Sequence, residues 1–290
     1  MKKNNDDLKD LYRLIEKQKF KNENDLKKFL DSLIGKPIPE PNEENLTQIE
    51  KAQDLVEEAY SLPIREAFKN VEIALKFDPD SIEAYEFFAK KQISVDSAIP
   101  YYEKAIKIGR RIFGGKYLEN HRGHFWGLHE TRPFMRCMFA YADMLYLKGQ
   151  KKDCISILEE MIELNPNDNQ GVRDQLMLYL LEQNEFSKFE KYSKLYPDDG
   201  GAYTHFNRAL YSFKNEGESE NSSELLKTAI EENKFILPMI ISSKLQTELP
   251  EMYGIGDKRE AKYYVVYAQR IWQQTPGAVK WMMKFRFESK

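Results

Sequence analysis

Apolar residues recur along this chain at intervals of three and four, separated by charged and polar runs. That is the period of helices with one buried face. Leu8, Leu11, Leu14 and Ile15 mark one such face. Leu26, Phe29, Leu30 and Leu33 mark the next, which Gly35 stops. Ala67, Val71 and Ala74, with Leu75 and Phe77, predict another helix. Pro79 ends it, since proline disfavours helical backbone in the residue before it. Tyr85, Phe88 and Ala89 open a further helix, and Ala98, Tyr102 and Ala105 form its partner, a pair that reads as short and lacks a closing proline. The pattern breaks from Gly109 to Arg132. Strand-type alternation is hard to find anywhere.

The clearest rhythm runs from Met138 to Pro166. Met138, Tyr141, Ala142 and Leu145 have the spacing that opens a tetratricopeptide repeat, and Cys154, Leu158, Met161 and Pro166 the spacing that closes one. The frame resumes at Val172, 34 residues after Met138, and Pro197 closes it again. Tyr203, Phe206 and Leu210 then open a third hairpin, whose return helix carries Leu225, Leu226, Ala229 and Ile230. Near the end, Asp257 and Glu260 form a capping box before a long helix with Ala261, Tyr264, Val265, Ala268 and Trp272 inward. Pro276 starts a last helix with Val279, Trp281, Met282 and Phe285. The prediction is all-α: a tetratricopeptide-like helical-hairpin solenoid with atypical N- and C-terminal capping helices. Such repeats bury their apolar faces only by stacking on neighbours.

Three prolines between Gly35 and Asn42 favour extended backbone, so residues 1–42 read as an N-terminal helical extension with a proline-rich strap, and 43–290 as the repeat body with its C-terminal cap. A length of 290 residues allows a substantial core. A net charge of −3 argues against the basic face that nucleic acid requires. No apolar run approaches a membrane span, and no apolar stretch follows Met1-Lys2-Lys3, so neither a membrane segment nor a signal peptide is expected. Cys137 and Cys154 both fall on apolar helical positions, as packed thiols of a reducing compartment do. The cytoplasm is the expected location.

Four further segments go beyond a generic repeat: Gly123–Arg136, with its His, Trp and Arg residues, Asn165–Arg173, Tyr196–Tyr203 and Leu249–Asp257. With Thr275-Pro-Gly-Ala278 they resemble bacterial tetratricopeptide proteins related to the suppression-of-tumorigenicity-7 family, over about Ala52 to Met283. The resemblance implies a helical-repeat fold and a scaffold role, and it implies no catalytic residue.

The densest polar cluster holds His121, His124, His129, Glu130, Arg132 and Arg136, interleaved with Phe125 and Trp126. His121, His124, His129 and Glu130 are competent zinc ligands in kind, which gives the alternative function: a metal-dependent enzyme or sensor. The spacing is poor, because His124 and His129 are five apart and no H-E-x-x-H order is present. The structural reading is a buried loop in which Arg132 and Arg136 pair with Glu130 or Asp168 and Trp126 packs on the next repeat. Asp168 or Asn169 is expected to cap the following helix, with Gly171 permitting close approach. Gly254-Ile-Gly256-Asp257 is too sparse for a phosphate loop, and Asp257 reads as a helix cap. Of the pairs Tyr101-Tyr102 and Tyr263-Tyr264, one member each is expected in the core.

In this repeat type the first helix of each hairpin lines the concave surface. Arg136, Phe139, Asp143 and Tyr146 lie opposite the packing stripe of theirs, with Arg173 and Arg208 at comparable places on the next two. Arg136, Arg173 and Arg208 are thereby the expected basic row for carboxylates of a bound peptide or protein. No cofactor is expected. Self-association through the N-terminal extension is the remaining partner expectation.

Overall fold

A computed structural model of the chain describes residues 10–15, 17–38, 46–197 and 199–286. Leu8, the strap beyond residue 38 and the expected boundary at 42/43 lie outside them. Among the described residues every regular element is a helix. None is long and apolar enough to cross a membrane. The chain divides into two compact units between Phe87 and Phe88.

The first unit contains a helical stretch over residues 10–15, α1 (Glu23–Leu33), α2 (Gln48–Ala59) and α3 (Ile64–Phe77). Thr47 starts α2 with a reciprocal cap. Its hydroxyl accepts the Glu50 N–H at 3.2 Å, and the Glu50 carboxylate accepts the Thr47 N–H at 2.7 Å. α2 and α3 pack as a hairpin around Ala52, Val56, Ala67 and Val71. The early helical residues belong to this unit. Buried Arg13 donates to Asp54 at 2.7 Å and to the Glu50 carbonyl at 3.2 Å, which binds them to α2.

Helix α4 (Ile82–Lys90) runs across the junction. The second unit continues with α5 (Val95–Ile112), α6 (Gly115–His121) and three hairpins. These are α7 (Arg132–Leu147) with α8 (Lys151–Leu164), α9 (Val172–Glu182) with α10 (Phe186–Leu195), and α11 (Ala202–Glu216) with α12 (Glu220–Glu232). Met138, Ala142, Leu145, Cys154, Leu158 and Met161 are all buried, as the 34-residue frame predicts, and Tyr141 donates its hydroxyl to Glu103 at 3.0 Å. The turn of each hairpin passes through a left-handed residue, Gly149, Asn184 and Gly217 in order. Glycine and asparagine adopt that backbone at least cost.

The expected short pair at Tyr85–Ala105 is corrected here. α5 is 18 residues long and continues through Gly109 into the apparent interruption. The glycine is the reason. A Cβ built at Gly109 would stand 2.1 Å from the Phe134 ring, so only glycine lets α5 and α7 pack this closely.

After α12 come α13 (Ile236–Ile240), α14 (Lys258–Gln274) and α15 (Ala278–Met282), then a 3-10 turn, Met283–Phe285. α14 buries Ala261, Tyr264, Val265, Ala268 and Trp272. It packs on α13 and α15, and also on α9 and α11, the first helices of two hairpins. The expected terminal cap is therefore laid along the hairpins as well as beyond them.

Candidate functional site

The faces of α9 and α11 that meet α14, with the adjoining face of α7, are rich in tyrosine and acid. The Tyr146 ring of α7 stacks on the Tyr179 ring of α9, with centroids 4.0 Å apart and planes 11° apart. Tyr146 also donates its hydroxyl to Glu182 at 3.1 Å, and Lys151 pairs with the same carboxylate. On α11, Tyr203 meets Tyr263 and Tyr264 of α14 edge-on, at 6.1 and 4.9 Å. Tyr263 in turn contacts Tyr253 and Tyr267. Behind this layer Tyr264 donates to Asn207 at 3.1 Å and accepts the Trp272 indole N–H at 2.8 Å. The expectation that one of Tyr263 and Tyr264 enters the core holds for Tyr264, and Tyr102 does so in its pair.

The start of α14 is fixed by Glu260, whose buried carboxylate accepts the backbone N–H groups of Ala202 at 3.0 Å and Gly256 at 2.6 Å and the Asn233 amide at 2.8 Å. Asp257 caps the helix, accepting from Arg259 and Glu260 at 2.7 and 2.8 Å. The reciprocal half of the expected capping box is absent: Glu260 turns outward to α11 and α12 instead of back to Asp257.

Two carboxyls in this layer have nothing to bind. Asp143 on α7 and Asp174 on α9 receive no hydrogen bond and no ion pair among the described residues. Both keep some accessible surface, yet protein surrounds them closely enough that loss of water raises each carboxyl to about 7. For Asp174 the neighbouring Arg173 opposes the rise, while Asp199, Asp168 and Glu260 reinforce it. Asp143 lies within electrostatic reach of Tyr179, Tyr263, Tyr267 and the Cys154 thiol, and Asp174 of Tyr203, Tyr253 and Tyr263. Tyr263 thus faces both acids. One further group here is orphaned: the Tyr203 hydroxyl is buried without a hydrogen bond. The buried Gln175 amide lies beside the Tyr267 phenol as its hydrogen-bond partner. Buried polar atoms of this kind are rare in folded proteins and mark places where a ligand or water completes the set.

Of the expected arginine row, Arg173 is held within the fold. Arg173 donates to Asp199 at 2.8 Å and Asp168 at 3.1 Å, and lies over the Tyr196 ring. Burial pushes Asp199 up, but the Arg173 guanidinium outweighs it and holds the carboxyl below its usual range. Arg208 turns to another face of α11. There it lines a cleft of about 590 Å³ with Phe189, Tyr211 and Leu225, bonding the Pro197 carbonyl at 3.4 Å. Arg136 and Phe139 are half-buried on α7, on the same stripe as Asp143 and Tyr146. The structure brings Asp143 and Tyr146 into one site with Asp174, Gln175, Tyr179, Tyr203, Tyr263 and Tyr267, which the repeat frame does not single out. One signal for them is present in the sequence: Gln175 is an amide at the head of an apolar, fully buried run from Leu176 to Leu181.

The His121–Arg136 segment folds as α6 followed by two 3-10 turns, Phe125–Gly127 and His129–Thr131. Buried Thr131 donates to the carbonyls of Phe125 and Leu128, closing the turns on each other. Phe125, not Trp126, is the buried aromatic, inside a cluster with Phe113, Tyr117 and Phe134. Arg132 donates to the Trp126 carbonyl at 3.0 Å and covers its ring, Glu130 accepts from Tyr117 at 3.0 Å, and Asp168 is taken by Arg173. His121 lies against the Tyr117 ring at a tilt, while His124, His129 and Glu130 are exposed. Among the described residues no three potential metal ligands come together, here or elsewhere. Asp168 caps α9 as expected, accepting from Val172 at 2.8 Å and Arg173 at 2.9 Å. Gly171 is needed for its left-handed backbone, with φ of 71°, rather than for close approach.

Compared with protein-family models, curated proteins and solved structures, the chain matches none. What its own structure defines is an all-α protein of helices packed in neighbouring pairs.

Proposed function

We propose that this chain is a non-catalytic binding protein of tetratricopeptide-like build, which holds a segment of a protein or peptide partner on the first-helix face of its second unit. The build rests on the frame from Met138 to Val172, the burial of its consensus positions and the recurrent left-handed turns. The resemblance to the suppression-of-tumorigenicity-7 relatives points the same way. The reading places the protein in the cytoplasm, where the buried thiols of Cys137 and Cys154, which form no disulfide, stay reduced.

The observation that carries the binding reading is the unpaired pair Asp143 and Asp174. A surface whose polar groups are all satisfied internally offers a partner little specificity. Here two acids and a buried phenol are left without such a bond. With Arg173 neutralised by Asp168 and Asp199, the two acids and Arg270 near Tyr146 are the charges this face offers a partner.

The test is affinity purification from the native host with the wild-type chain and with Asp143→Asn combined with Asp174→Asn. Proteins held through this face are lost from the double variant while its helical circular dichroism is unchanged. An identical set of captured proteins overturns the reading.

A further inference from the structure

We propose that the cleft between α10, α11 and α12 is a site for a small carboxylic acid with an apolar body, its carboxylate held by Lys194 and Arg208. The cleft shares no residue with the face that carries Asp143 and Asp174, so the proposal goes beyond that reading and does not depend on it.

The cleft marks an irregular joint in the row of hairpins. α5 packs closely along α7, and α8 along α9. α10 makes no comparable contact with α11, and the gap of about 590 Å³ opens there, bounded by α12. Rings bridge one end of it: Tyr211 of α11 stacks on Phe189 of α10 with centroids 4.8 Å apart, and meets Phe186 edge-on at 5.7 Å. At the other end Arg208 reaches the Pro197 carbonyl, just past the end of α10, so the two helices run antiparallel across the cleft. Ser193 and Lys194 therefore stand at the Arg208 end.

The walls set the class of ligand. Phe189, Tyr211 and Leu225 supply apolar surface for the body of a small molecule, in a volume of the usual size for one. The acids on the walls are engaged by neutral donors. Glu190 accepts the Tyr211 hydroxyl, and Glu216 accepts the Ser212 hydroxyl and, at 2.7 Å, the Asn221 amide. The Arg208 end is different, because its groups offer donors and lack an acceptor. Lys194 has no hydrogen bond or ion pair among the described residues, and the Ser193 hydroxyl is buried without a bond. Arg208 has only the long contact of 3.4 Å with Pro197. Ammonium and guanidinium groups carry no acceptor of their own, and a carboxylate supplies two oxygens to them. A neutral ligand leaves both charges unanswered, and an organic cation meets them with repulsion. From Arg208 to Asn215 the cleft follows two turns of α11, about 10 Å, which is the reach of an eight-carbon acid.

Titration calorimetry on the full chain at neutral pH tests this with octanoate, octanol, octylamine and an N-acetylated tripeptide ending in leucine. Octanoate is expected to bind at one per chain. Octanol keeps the chain and loses the charge, and should bind at least tenfold more weakly. Octylamine, protonated at this pH, should bind more weakly still. Lys194→Gln and Arg208→Gln should each weaken octanoate at least tenfold, with Arg208→Lys recovering part of the loss. Leu225→Trp, which fills the cleft from α12, should abolish binding with both cations in place. Circular dichroism checks that each variant is folded, and if Leu225→Trp is not, the two Gln variants decide. No binding of octanoate, equal binding of octanol, or tighter binding of octylamine overturns the proposal, as does undiminished binding in the folded Gln variants. Tighter binding of the tripeptide than of octanoate would also overturn it, by assigning the cleft to the end of a peptide chain.

Discussion

Glu260 accepts the backbone N–H of Ala202 at 3.0 Å, so the first turn of α14 also closes the first turn of α11. The same carboxylate takes the Gly256 N–H and the Asn233 amide. Glu260→Ala should orphan three donors and destabilise the second unit by about 3 kcal/mol, with Glu260→Gln intermediate. Urea denaturation followed by circular dichroism measures this. A loss below about 0.5 kcal/mol would show that the carboxylate is dispensable.

Asp143 and Asp174 make stability depend on pH. Each carboxyl rises from 3.8 to about 7 on folding, so the folded chain holds these protons more tightly than the unfolded one. Their contribution favours folding below about pH 4 and is lost as pH rises through 7. Asp143→Asn and Asp174→Asn, permanently neutral, should gain on wild type between pH 5 and pH 8, by about 1–2 kcal/mol each at pH 8. A flat wild-type-minus-variant difference over that range contradicts the burial of these charges.

Arg173 holds the start of α9 to Asp168 and to Asp199 ahead of α11. Arg173→Leu leaves both acids without their cation and should destabilise the fold by about 2 kcal/mol, with Arg173→Lys recovering part. Thermal melts at neutral pH report it. An unaffected melting temperature would return this arginine to the list of free partner-binding groups.

Gly109→Ala places a methyl group against the Phe134 ring and should cost about 1–3 kcal/mol. Phe134→Leu makes room, so the two substitutions together should cost less than their sum by about 1 kcal/mol. Strict additivity in the double-mutant cycle would mean that the two positions are not in contact.

Much of the fold was legible because a repeat writes its packing into local spacing. Met138, Ala142, Leu145, Cys154, Leu158 and Met161 are in the core, and Asp168 and Asp257 cap the helices that follow them. What spacing does not carry is which distant element covers a given face. Asp143 and Tyr146 lie on the expected stripe, but their setting depends on α14, more than a hundred residues later in the chain. Arg173 reads as a free cation until Asp199 is brought beside it. Gly109 reads as a break because the ring that fills its space belongs to Phe134. Arg208 departs for a further reason: α11 turns its Tyr203 and Asn207 side to α14, which directs Arg208 to the cleft beside Phe189.

The position of α14 also bears on how the molecule is made. In an open array each repeat can fold once its neighbour has emerged, and stability is a sum of nearest-neighbour interfaces. Here residues 258–274 supply a wall to helices that begin at residues 172 and 202. Each of those helices keeps one face uncovered until α14 has been made. The contact of Tyr203 with Tyr263 and Tyr264 is therefore among the last in the second unit that can close.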